Sequence, residues 1–186
     1  GYVAGDEGGG SYLARAAVRL AFDECFRFGP STNITRSVFE MYEIDDKKDF
    51  SNAIVGKKID STYLIKALFE HANNGDLPAI SVLETSGEHM ARSIAGVIKE
   101  LNIKEPINVI LAGSVWAKAT NFAMLNKFKK VVCELSNKKC NFIVLKEPPV
   151  LGAILWALEL ANGELPDKEL KAKVLENIIN YQNSIN

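Results

Sequence analysis

Residues that hold metals are scarce in this chain: 186 residues include two histidines and three cysteines. Cys25, Cys133 and Cys140 show no CxxC spacing, and His71 and His89 lie far apart in the sequence. No zinc or iron–sulfur signature is present. An odd, sparse set of cysteines also argues against a disulfide framework and for a reducing compartment, the cytoplasm. Excess charge is missing too. The 22 Lys and Arg nearly cancel the 23 Asp and Glu, leaving a net charge of −1. Nothing in that balance asks for a nucleic-acid partner. The longest apolar run, Val150 to Leu158, stops at Glu159 and is too short to cross a bilayer. No membrane partner is expected, and no secretory leader is read at the start.

What is present is a globular balance of 47% apolar and 24% charged residues, which excludes disorder, collagen-like repeats and a fibrous coil. The length fits one domain or a large piece of a two-lobed protein. Residue 1 is Gly rather than Met, inside a glycine-rich phrase, GYVAGDEGGGSY. The expectation is that the gene product starts further upstream.

Periodicity gives a helix-rich α/β chain with two parallel strands and about seven helices. Residues 11–28 read as a helix with Leu13, Ala17, Leu20 and Ala21 inward, stopped by Gly29-Pro30. Shorter helical stretches follow at 32–42 and 47–56. Asp60 or Ser61 caps a helix to about Asn74. The longest helix spans about 77–103, with an apolar stripe of Ile80, Leu83, Gly87, Met90, Ile94, Val97 and Leu101. A second stripe of small residues, Gly87, Ala91 and Ala95, invites close approach by another element. Ile107 to Ala112 reads as a strand buried on both faces, the parallel-sheet type. A helix at 120–135 turns Phe122, Leu125, Phe128, Val132 and Leu135 inward. Asn141 to Leu145 repeats the short strand, Pro149 opens another helix, and a last helix runs from about Asp167. Right-handed crossover makes the two strands parallel. Two strands are few for a parallel sheet, so strands from upstream or from a partner are expected to complete it.

Three phrases carry candidate chemistry. Gly5-Asp6-Glu7-Gly8-Gly9-Gly10 precedes a helix. It is not a P-loop, because no Gly-Lys-Ser/Thr follows. Its two carboxylates disfavour phosphate and suit sugar hydroxyls, since an ionised carboxylate accepts several hydrogen bonds. By spacing alone it better suits a plain turn whose acids favour the helix dipole. Gly113-Ser114-Val115-Trp116 stands at the carboxyl end of the first strand, where α/β sheets gather ligands. It reads either as a nucleotide approach or as a tight turn with a core tryptophan. Leu151-Gly152-Ala153 reads as a close helix-packing step, and the lysines at 127, 129, 130, 138 and 139 as a solvated face. Both histidines read as structural or surface residues.

In this order and spacing, GYVAGDEGGGSYLARAAVRLAFD, VILAGSVW and PPVLGAILWALELANG resemble the N-acetylglucosamine kinases. These belong to the sugar kinases and activator ATPases of the actin/hexokinase-type (ribonuclease H-like) fold. The resemblance spans nearly the whole chain, as the C-terminal lobe of such a protein. It implies ATP and Mg²⁺ as cofactors and an amino sugar as substrate. Asp6 matches the aspartate that binds sugar hydroxyls, and Gly1 a glycine of the same loop. Gly113 and Ser114 match the adenosine motif, and Thr62 falls near the adenine wall. The family's phosphate loops and catalytic aspartate belong to segments before Gly1. No catalytic residue is therefore nominated in this chain, and the N-terminal lobe of the same protein is an implied partner. A homodimer is a further expectation, from the small-residue stripe and the open sheet edge. Two rivals stand beside the kinase: an activator ATPase of a radical dehydratase, and a non-catalytic sugar- or nucleotide-binding module.

Overall fold

The computed structural model describes residues 8–184. They form an α/β chain, rich in helix, with two parallel strands in one sheet. The chain divides into two compact units. The first runs up to Val109 and resumes over Lys118–Asn141; the second comprises Ile110–Ala117 and the chain from Phe142 onward.

The first unit begins with α1 (Gly10–Phe26), which buries Leu13, Ala14, Ala17 and Ala21. Its alanines are short enough to let α2 (Ile34–Tyr42), α4 (Ser61–Asn73) and α5 (Leu77–Glu100) all pack against it. Leu20, expected inward, is only half-buried, because the inward stripe runs through Ala14 instead. The stretch 47–56 is not one helix. A 3₁₀ turn, Lys47–Asp49, leads into the short α3 (Phe50–Ile54). Phe50 is fully buried, with ring centroids 5.7, 6.1 and 5.8 Å from those of Phe22, Phe26 and Phe39. Edge-to-face geometry adds to the area such a side chain removes from water.

Two aspartates set where α4 and α5 begin. Asp60 accepts the Tyr63 amide at 3.0 Å, as the sequence anticipates. Asp76 accepts the Ala79 amide at 3.0 Å, the Thr32 hydroxyl at 3.0 Å and the Asn33 amide at 2.7 Å. One nearly buried carboxylate thus caps α5 and fixes the loop ahead of α2. Glu24 on α1 holds the same loop, accepting from Ser31, the Thr32 amide and the Thr35 hydroxyl.

α5 packs along α7 (Ala123–Ser136). The small-residue stripe makes this possible. Gly87, Ala91 and Ala95 are buried, and a Cβ on Gly87 would lie 2.3 Å from the Met124 carbonyl oxygen. The other stripe is inward only in part: Leu83 and Gly87 are buried and Ile80, Met90 and Ile94 half-buried, but Val97 and Leu101 are exposed, and Ala79, Ser86 and Ile98 are buried outside it. On α7 the inward residues are Met124, Phe128, Val131 and Val132. Phe122 and Leu135, expected inward, are exposed. Phe122 is the cap rather than a helical residue, so the register begins later than its apolar character suggests. Lys127, expected in solvent, reaches Glu88 on α5 at 3.3 Å.

β1 (Ile107–Leu111) pairs with β2 (Cys140–Val144), with the Ile107 amide on the Lys139 carbonyl and the Leu145 amide on the Leu111 carbonyl. The two-faced burial expected of β1 is corrected. Ile107, Val109 and Leu111 are buried, whereas Asn108 and Ile110 are exposed. Only one face of this sheet is covered among the described residues. The second unit adds α6 (Ser114–Ala117), α8 (Pro149–Asn162) and α9 (Lys168–Ser184), with α9 packed on α8. The expected close packing at Gly152 is also corrected: it is exposed, and a Cβ there would meet nothing within 4 Å. The described residues hold nine α-helices against the expected seven or so. The four-residue α6 is too short to leave a periodic pattern, whereas α3 falls inside the 47–56 stretch expected to be helical.

Candidate functional site

Gly1 and Asp6 lie outside the described residues. The downstream end of their loop is well fixed. Gly8 is buried, and a Cβ there would stand 2.0 Å from Met90 Cγ on α5. Ser86 Oγ, also on α5, donates to the Gly8 carbonyl at 3.4 Å. Glycine is needed here for close approach, and the following Gly9 meets no such neighbour. α5 therefore anchors the chain two residues after Asp6.

Gly113 and Ser114 sit in the second unit, directly after β1, and both are exposed. Gly113 has φ 111°, a conformation that L side chains rarely adopt, and a Cβ there would meet nothing within 4 Å. The strand therefore ends in an open turn whose carbonyl accepts the Trp116 amide at 3.2 Å and the Ala117 amide at 3.0 Å. Trp116 is half-buried rather than a core residue. The backbone of this turn is open to solvent.

Thr62 belongs to the first unit, in the opening turn of α4, with its side chain exposed. The next residue, Tyr63, borders a groove of about 460 Å³ between α2 and α4. Its hydroxyl donates to Glu40 at 3.1 Å, and Arg36 pairs with the same carboxylate at 2.9 Å. Arg36 first, then Tyr63, hold the Glu40 carboxyl below its ordinary range. Burial, followed by the hydrogen bond to Glu40, pushes the Tyr63 phenol up. Ser37 and His71 Nε2 meet across the groove at 2.9 Å. The sequence carries the Arg36–Glu40 spacing, but nothing in it joins Tyr63 and His71 to α2, because those contacts cross between helices.

The cysteines are free thiols, half-buried at Cys25 and Cys140 and exposed at Cys133. Burial pushes the Cys25 and Cys140 thiols up. Among the described residues no group of three or more His, Cys, Asp or Glu could hold a metal ion, and no helix is long and apolar enough to cross a membrane. Compared with known proteins, the chain matches no family model and no curated protein.

Proposed function

We propose that this chain is the C-terminal lobe of an actin-like, ATP-dependent amino-sugar kinase, with N-acetylglucosamine as substrate and its 6-phosphate as product. The observation that carries the reading is the open Gly113-Ser114 turn at the carboxyl end of a parallel strand. It occurs in the same chain as the Gly5-Asp6-Glu7-Gly8 phrase. In α/β sheets, ligands collect beyond strand carboxyl ends. A glycine with a left-handed φ and no neighbour lets adenosine pack against backbone.

In this reading Asp6 accepts hydrogen bonds from sugar hydroxyls, and α5 steadies its loop through Gly8. Gly1 stands on the same side of the sugar. Gly113 and Ser114 line the adenosine, and Thr62 stands at the adenine wall. The sugar hydroxyl oxygen attacks the γ-phosphorus, the bond to the β–γ bridging oxygen breaks, and ADP leaves. The hydroxyl proton passes to a base outside this chain. Such catalysis is mainly positioning and charge stabilisation. The described residues offer no carboxylate cluster suited to Mg²⁺, so no step is assigned to that ion here. An N-terminal lobe of the same gene product completes the site, and the work is done in the cytoplasm.

The test is ADP release by the full-length gene product given ATP and N-acetylglucosamine. Turnover that depends on the sugar supports the reading. No turnover with N-acetylglucosamine, glucosamine or N-acetylmannosamine ends it. Asp6→Ala removes charge-assisted hydrogen bonds worth about 1.5–3 kcal/mol. The sugar KM is then expected to rise about 10- to 100-fold, by the usual conversion of free energy to affinity. An unchanged KM in an active variant removes Asp6 from the site.

A further inference from the structure

The groove between α2 and α4 holds a contact that the kinase reading does not use. Ser37 Oγ and His71 Nε2 meet there at 2.9 Å. Ser37 is 7% exposed, so its hydroxyl lies at the floor, and His71 is half-buried in the facing wall. The other buried hydroxyls among the described residues are bound differently. Thr32 donates to the Asp76 carboxylate and Ser86 to the Gly8 carbonyl, and both bonds hold loops in place. Ser37 faces a basic ring nitrogen instead. It does so inside a groove of about 460 Å³, within the size range of small-molecule sites. A hydroxyl and a base within hydrogen-bond reach are the first two parts of an activated nucleophile.

Two further parts line the same groove. Glu40 stands one turn after Ser37 on α2. Arg36 and then Tyr63 lower its carboxyl, and a protonated His71 lowers it further. That attraction is mutual, so an ionised Glu40 stabilises the imidazolium formed when His71 takes a proton. Lys66 lies on α4 and makes no ion pair among the described residues. Its ammonium is therefore free to face a developing oxyanion. All four side chains belong to the first unit and stand on two packed helices, which hold a site more firmly than loops do.

We propose that Ser37 is the nucleophile and His71 the general base of a second active site, one that hydrolyses small polar carboxylic esters. The walls are polar or charged apart from Ala67, which suits a short acyl group and not a long alkyl chain. Ser37 Oγ attacks the ester carbonyl carbon while its proton passes to His71 Nε2. The bond from that carbon to the alcohol oxygen then breaks, and the imidazolium gives the proton to the departing oxygen. Water, deprotonated by His71, attacks the acyl-Ser37 ester, releases the carboxylic acid and restores the hydroxyl. The net reaction is ester plus water to acid plus alcohol. It does not depend on the kinase reading.

The test is hydrolysis of p-nitrophenyl acetate by the full-length gene product, beside labelling with a fluorophosphonate. Catalytic release of p-nitrophenolate is expected, with the phosphonyl group bonded to Ser37 and located by peptide mass. Ser37→Ala should lose the label and at least about a hundredfold in kcat/KM, the scale of a lost catalytic group. His71→Gln, which can still hydrogen-bond across the helices, should lose a similar factor. Glu40→Gln keeps an acceptor for Tyr63, so it should lower kcat and leave KM unchanged, a split that a merely structural role would not produce. A wild type that fails to turn over the ester, or that takes the label anywhere but Ser37, overturns the proposal whether or not the variants fold. So does hydrolysis that survives Ser37→Ala, which marks adventitious attack by other side chains. An unchanged kcat in Glu40→Gln removes Glu40 from the site.

Discussion

The two units bury their apolar residues very differently. In the first, Phe50, Leu13, Ile34, Leu64, Leu68 and Leu83 are fully buried, and several helices share one interior. In the second, Leu111 and Leu151 are the buried apolar residues among those described. Trp156 and Leu160 on α8 are 66% and 72% exposed, and Ile179 and Tyr181 on α9 are exposed as well. Yet α8 is among the most apolar stretches of the sequence. Apolar content does not make a core; the number of elements that can close around it does. The first unit has short side chains at helix crossings and polar hubs at its turns. The second has the C-terminal ends of one half-covered pair of strands, the four-residue α6 and two longer helices. Its amides should open at lower free energy than those of α5, in keeping with its few buried apolar groups.

The sharpest way to break this contrast is a pair of aromatic truncations. Phe50→Ala removes a fully buried ring that touches three others, and such changes cost about 3–5 kcal/mol. Trp156→Ala removes a larger side chain that is mostly in water, and should change stability by less than about 0.5 kcal/mol. Urea unfolding of both variants measures the difference. Equal losses would mean that α8 has a cover the described residues do not supply.

A smaller effect tests the helix crossing that gives the first unit its density. Gly87→Ala places a methyl 2.3 Å from a backbone oxygen of α7, which no side-chain rotation relieves. Overpacking of this sort costs about 1–3 kcal/mol. Gly152→Ala is the control in the second unit. With open space around it, the change should be neutral or favourable by about 0.5–1 kcal/mol, because alanine is the better helix former. Thermal melting of the two variants should move in opposite directions.

The contrast also explains what the sequence makes legible. Helix starts at Asp60 and Asp76 follow local capping chemistry, and β1 and β2 follow short β-branched runs between Pro106, Gly113 and Pro148. Such signals need only near neighbours. Which face turns inward is a different matter. α5 carries two overlapping stripes that share Gly87; the small one is buried throughout, where α7 approaches its backbone, and the other leaves Val97 and Leu101 exposed. Phe122 looked like an anchor and is a cap, since periodicity does not fix register at a helix start. The Thr32–Asp76 bridge joins residues far apart in the chain and leaves no local trace. The site divides the same way. A backbone need for glycine is visible at Gly8 and Gly113, while Gly5, Asp6 and Glu7 lie outside the described residues. The Tyr63, Glu40 and His71 cluster is not legible, because α2 and α4 bring it together only on folding.

That cluster yields the smallest expected effect, a pH dependence of the first unit. Arg36 and Tyr63 depress the Glu40 carboxyl, so the folded state binds a proton there less readily than the unfolded chain. The resulting stabilisation is present above the unfolded carboxylate range and is lost as pH falls through the depressed folded value. Tyr63 behaves oppositely. Its phenol is raised by burial and by Glu40, so its contribution is whole below the ordinary tyrosine range and is lost as pH rises through the raised value. Glu40 is open to solvent, and salt screens such pairs, so both effects should shrink with ionic strength. The check is thermal melting against pH for wild type and Tyr63→Phe. The variant lacks the hydroxyl bond, so its acid loss should be shallower and its alkaline loss smaller, with the raised Tyr42, Cys25 and Cys140 keeping the rest. A variant that tracks wild type at both ends would show that the Tyr63–Glu40 bond contributes nothing to holding α2 against α4.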